Sequence, residues 1–285
     1  LTAGLFVSGC GSDKAGGIGS VVSSVVDGGD EKAAAKLNTL IDATNRFNSD
    51  NVSFAQFQAE GLAKLKGGFA EGAITNQPHF DRLQADLEKA KKEGSTFKEV
   101  DAERDNVLNI LNELVPVYKD LTAYDDSKAY MNDGGAKGKE LAAKYVAAVE
   151  KFDAAYAKFN ETLNKVNAEQ SKKQIEKLKK DGKKGYAAAM ESTLRLTELV
   201  DKLEKAPQNA DKAAVEKELS EIEALLKSIN NDRGQVLADR YNSVVGDVRQ
   251  VLANPSDNNL NNMIEGFNGY IDTYNSTTPD QFDAK

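Results

Sequence analysis

LAAKYVAAVEKFDAAYAKFNETLNKV runs from Leu141 to Val166. Its large apolar residues are Leu141, Tyr145, Val149, Phe152, Tyr156, Phe159, Leu163 and Val166, spaced by threes and fours. A helix turns about every 3.6 residues, so this spacing lays all eight along one side of a helix. A strand would alternate apolar and polar residues, and this stretch does not. Lys, Glu, Asp and Asn fill the remaining positions, as a solvated face requires.

The same rhythm recurs. Val107, Leu111, Leu114, Tyr118 and Leu121 form one seam; Val215, Leu219, Ile222, Leu226 and Ile229 form another; Leu237, Tyr241, Val244, Val248 and Val251 form a third. A first helix carries Leu37, Leu40, Ile41 and Phe47, a short second one covers Phe54 to Leu65, and another follows Pro78 to about Lys92. No seam continues through the glycine and proline breaks, so the helices bury one another rather than forming one coiled coil. The expected fold is all-α, an elongated antiparallel bundle of long amphipathic helices. Pro116 is expected to kink its helix or mark a boundary, because proline removes a backbone donor. Between Ala136 and Lys205 breaks are expected near Gly182 and Gly185, and Asp211 and Ser256 or Asp257 are expected helix caps.

Composition limits the function. The 285 residues carry a net charge of -8, which argues against a nucleic-acid surface. One cysteine allows no internal disulfide.

That cysteine is Cys10, in LTAGLFVSGC, residues 1–10. Val7, Ser8 and Gly9 precede it, in the pattern of a bacterial lipobox: aliphatic, small, glycine, cysteine. The stretch reads as the tail of a truncated signal peptide. Cys10 is then the expected lipidation site, carrying a diacylglycerol and acyl chains, with no other cofactor. Each buried methylene contributes about 0.8 kcal/mol, so several long chains anchor durably. Residues 11–30, rich in Gly and Ser, read as a flexible tether spanning about 25 Å. Residues 31–277 read as the helical domain and 278–285 as a tail.

Chemistry-bearing residues are few. His79, the lone histidine, sits at a helix start and suits a surface or capping role. No nucleophile elbow, phosphate loop or Cys/His metal set is present. NDGGAKGKE, 132–140, reads as a turn between helices. Asp125, Asp126 and Asp133 miss the EF-hand spacing. The lysine run KKQIEKLKKDGKK, 172–184, reads mainly as a solvated helix face, with anionic lipid as the rival reading. Tyr118, Tyr145 and Tyr156 read as core with wet hydroxyls. Tyr124, Tyr130 and Asp133 remain as candidate ligand-binding residues.

Three segments carry a resemblance: LNTLIDATNRFN at 37–48, LVPVYKDLTAYDDSKAYMNDGGAKGKEL at 114–141, and FNGYIDTYN at 267–275. Together they resemble the YiiG-like bacterial lipoproteins, a family of unknown function. The resemblance implies an all-helical envelope domain behind a lipobox and supplies no reaction or catalytic residue.

The expected function is that of a lipid-anchored, non-catalytic binding or structural module of the bacterial envelope. Its partners would be the membrane through the anchor and an envelope protein or glycan, not nucleic acid. Gly11 rather than Asp after the cysteine favours the outer membrane, facing the periplasm, in a Gram-negative host. The alternative is a periplasmic solute or metal receptor with a pocket of Tyr and Asp between helices.

Overall fold

The computed structural model describes residues 30–49, 54, 57–70, 72, 77–94 and 97–284. Val7, Ser8, Gly9, Cys10 and the tether lie outside these residues. Among the described residues there is helix and no strand, so the chain is an all-α helical bundle.

The helices are α1 (Asp30–Ser49), α2 (Ala63–Lys66, entered through a π-helical turn at Phe57–Leu62), α3 (Phe80–Lys92) and α4 (Lys98–Asp126). A short α5 (Tyr130–Asp133) leads into α6 (Ala136–Lys180), which is 45 residues long. Then come α7 (Lys184–Lys205), α8 (Lys212–Lys227), α9 (Asp232–Ala253), α10 (Asp257–Asn275) and α11 (Pro279–Phe282). Where spacing suggests one domain over 31–277, packing divides the chain into two compact units. One is Thr39–Val166; the other holds Asn167–Lys285 with residues 30–38 of α1.

The Thr39–Val166 unit is built on aromatic rings. Phe47, Phe54, Phe80, Phe152 and Tyr156 interlock, mostly edge to face, with centroids 5.1 to 6.4 Å apart. Such pairs add about 0.5–1.5 kcal/mol each beyond the area they bury. Tyr145 and Tyr156 are core, as the heptad spacing predicts. Their hydroxyls are not wet, however: Tyr145 donates to Gln77 Oε1 at 2.6 Å and Tyr156 to Asn48 Oδ1 at 3.3 Å. Pro116 neither breaks nor ends α4. Leu114, Val115 and Leu121 are buried on both sides of it, and their packing outweighs one missing backbone bond.

In the Asn167–Lys285 unit, α7 to α10 pack as successive antiparallel neighbours joined by short turns. Lys172 pairs with Glu198 and Lys179 with Glu191, so the end of α6 runs antiparallel to α7. Between them the chain turns at Gly182, whose φ of +78° is available to glycine at little cost. Gly185 is not a break. It lies in the first turn of α7, and a Cβ there would stand 2.0 Å from the Phe282 carbonyl oxygen. The expected tail is instead packed structure: α11 brings Phe282 against Tyr186 and Tyr274, and Asn231 Nδ2 donates to the Phe282 carbonyl at 3.0 Å. Asp211 and Ser256 cap α8 and α10, accepting from Ala213 and Asn259 backbone N–H.

Candidate functional site

At one end of the Thr39–Val166 unit, α4 stops and the chain reverses into α6. Lys128, at φ +52°, lets it turn out of α4, and the Ala129 N–H reaches back to the Tyr124 carbonyl at 3.1 Å. Asn132-Asp133-Gly134-Gly135 then makes the turn predicted from composition, with Gly134 and Gly135 both at positive φ. Asp133 ties it together. Its Oδ1 accepts the Tyr124 hydroxyl at 2.6 Å and the Gly135 N–H at 2.9 Å, and its Oδ2 accepts the Lys137 N–H at 3.2 Å. These bonds satisfy donors that open α6 and would otherwise lack partners. The Tyr124 hydrogen bond, followed by the backbone N–H groups, holds the Asp133 carboxyl below its ordinary range. Burial, then the same carboxylate, pushes the Tyr124 phenol up.

Three rings meet above this knot. Phe69 lies 5.2 Å from Tyr124 and 5.8 Å from Tyr130, and the two tyrosines are 6.5 Å apart. Gly138 makes this close approach possible: a Cβ there would come 2.6 Å from Tyr124 and 2.7 Å from Phe69. On the far side Asp125 accepts the Gly72 N–H at 3.2 Å. Beside Tyr130 stands Met131, 76 % exposed.

The structure therefore brings Tyr124, Tyr130 and Asp133 together, with Asp133 as a positioning residue that three donors occupy. Sequence reasoning missed Phe69, Met131 and Gly138. The only available signals were Phe69 directly after Gly67-Gly68 and Met131 beside the Asn-Asp-Gly-Gly turn. His79 is the exposed N-cap residue of α3, without a side-chain capping bond, so the surface reading holds and the capping one does not. In the lysine run, Lys172, Lys179 and Lys183 pair with Glu198, Glu191 and Asp280, which is the behaviour of a solvated helix face.

A second feature lies between α7 and α8, a half-open groove of about 590 Å³. Leu199, Leu203 and Val215 floor it, and Arg195, Lys202 and Glu218 stand at its rim. Arg195 grips Glu218 with two bonds, at 2.7 and 2.9 Å, and also reaches Glu221. No tyrosine lines this groove, and Asp211, its aspartate, is engaged in capping α8. A pocket of Tyr and Asp, as a solute receptor would need, is not what the groove provides. Among the described residues no three of His, Cys, Asp and Glu are grouped to hold a metal ion, and no helix is long and apolar enough to cross a membrane.

Fold and tip together define an all-helical protein whose most distinctive surface is a braced aromatic turn. The chain belongs to the family described as "Protein of unknown function (DUF3829)", whose profile matches residues 31–251. No curated protein and no solved structure matches it.

Proposed function

We propose that this protein is a binding module of the bacterial cell envelope, held to the membrane by acyl chains on Cys10. The observation that carries the anchoring is the order of residues around that cysteine: an apolar LFV, then Ser8-Gly9-Cys10, then a run of Gly and Ser. The resemblance to YiiG-like lipoproteins points the same way. Two or more acyl chains anchor a protein where one binds only reversibly.

The braced turn carries the binding role. Left-handed conformations at Lys128, Gly134 and Gly135 and the bonds to Asp133 hold half-buried Phe69 and Tyr130 and exposed Met131 in a fixed array. A rigid array of such side chains loses little entropy on contact with a partner. Function as a non-catalytic module fits long helices whose lateral faces are charged and whose interiors are filled by side chains.

Detergent phase partitioning of the full gene product from its native host tests the anchor. The wild type is expected in the detergent phase and the Cys10→Ala variant in the aqueous phase; a wild type in the aqueous phase would contradict the anchoring.

A further inference from the structure

We infer that Met131 is a reversible oxidation site, at which a hydroperoxide turns the apolar edge of the braced turn polar and a thiol-dependent methionine sulfoxide reductase restores it. The inference deepens the binding role proposed for this turn. It rests on that role only for what the change does to a partner, and on the structure for where the change occurs.

Accessibility selects the residue. The chain has three methionines and no tryptophan. Met131 is 76 % exposed, whereas Met190 and Met263 are 3 % and 0 % exposed. Those two lie on α7 and α10, in the hydrophobic core of the Asn167–Lys285 unit. A peroxide reaches them only when that unit opens, so their protection is set by its stability. It reaches Met131 in the folded chain.

Local geometry spares the fold. The Met131 N–H donates to the Lys128 carbonyl at 3.0 Å, which holds its backbone in the turn. The bonds that brace the turn join Tyr124, Gly135 and Lys137 to Asp133, and none runs through the Met131 side chain. A sulfoxide there displaces no core atom. It does exchange a flexible apolar side chain for a polar, chiral one, beside half-buried Tyr130, whose ring lies 5.8 Å from Phe69.

The chemistry is a two-electron oxygen transfer. The Met131 sulfur attacks one oxygen of hydrogen peroxide, the O–O bond breaks as the S–O bond forms, and the proton of the attacked oxygen passes to the departing hydroxide, which leaves as water. The thioether is oxidised and the peroxide reduced. In the reverse step two reductase thiols supply the two electrons, become a disulfide and release the sulfoxide oxygen as water. The sulfoxide sulfur is a stereocentre, so two reductases are needed, one for each epimer.

The test uses the full chain carrying Cys10→Ala, whose sulfur atoms are then the three methionine thioethers. It is treated with hydrogen peroxide and mapped by peptide mass spectrometry. Met131 should gain one oxygen about tenfold faster than Met190 or Met263, and the difference should vanish in urea. The oxidised protein should keep its melting temperature and elute earlier from a phenyl matrix, whereas peroxide-treated Met131→Leu should elute unchanged. Both reductases with dithiothreitol should return mass and elution to their starting values. Met190 or Met263 oxidised as fast as Met131 would overturn the inference, as would a difference that persists in urea. A lowered melting temperature, an unchanged elution or a sulfoxide that the reductases leave in place would overturn it too. No reading here involves acylation or a partner, so failure leaves the proposed anchor and binding role standing, and failure of either leaves the oxidation result readable.

Discussion

The Tyr124 hydroxyl donates to Asp133 Oδ1 at 2.6 Å, closing a loop between the end of α4 and the start of α6. Two helices that meet at a glycine-rich turn are thereby given a defined geometry. Since Asp133 also accepts the N–H groups of Gly135 and Lys137, Asp133→Ala is expected to accelerate amide exchange at these two residues while leaving the aromatic core of the same unit protected. Exchange measured by NMR checks this; unchanged rates at Gly135 and Lys137 would contradict the bracing role.

The same carboxylate gives the tip a pH dependence. Its folded value is held below the ordinary 3.8, so its contribution is present above pH 3.8 and is lost as pH falls through the lower folded value. The tip amides should therefore lose protection at acid pH in the wild type. With Asp133→Asn that acid transition is expected to disappear from their exchange profile.

Glu204 has the opposite sign. Burial, and then neighbouring Asp201, raise its carboxyl from 4.5 to about 7, against the pull of Lys205. Its contribution is fullest below pH 4.5 and is lost as pH rises through about 7. Its Oε2 is buried without a hydrogen-bond partner. Glu204→Gln should then stabilise the protein at pH 8 by about 1 kcal/mol, after allowing for screening of a partly exposed group, and have little effect at pH 4. Urea midpoints at the two pH values decide it.

Gly185 is expected to be the least tolerant glycine of the Asn167–Lys285 unit. A Cβ would press on the Phe282 carbonyl, which is backbone and cannot rotate away, and Gly185 N–H also bonds Asp283 Oδ1 at 2.6 Å. Gly185→Ala should displace α11 and cost about 1–3 kcal/mol, whereas Gly246→Ala, where a Cβ meets nothing within 4 Å, should stabilise. Thermal denaturation of the two variants gives the comparison.

Most helices were legible because their cause is local. The three-and-four spacing from Leu141 to Val166 sets a buried face whatever the helix packs against, and Asp211 and Ser256 cap through bonds to residues two or three positions on. Pro116 does not mark a boundary, because its local cost is outweighed by burial of Leu114, Val115 and Leu121. Phe282 was read as tail because its partners Tyr186 and Tyr274 lie on other helices. At the tip, Tyr124, Tyr130 and Asp133 share one stretch of chain and could be found there. Phe69 joins them only through the fold, and the need for glycine at nearby Gly138 comes from its close approach to Phe69 and Tyr124, which no spacing announces.

The anchor on Cys10 decides where every other surface acts, and intact mass spectrometry of the protein from native membranes tests it most directly. The account predicts a wild-type chain beginning at Cys10 and heavier than its polypeptide by a diacylglycerol and a further acyl group, with Cys10→Ala lacking both. A wild-type mass equal to the bare polypeptide would contradict it.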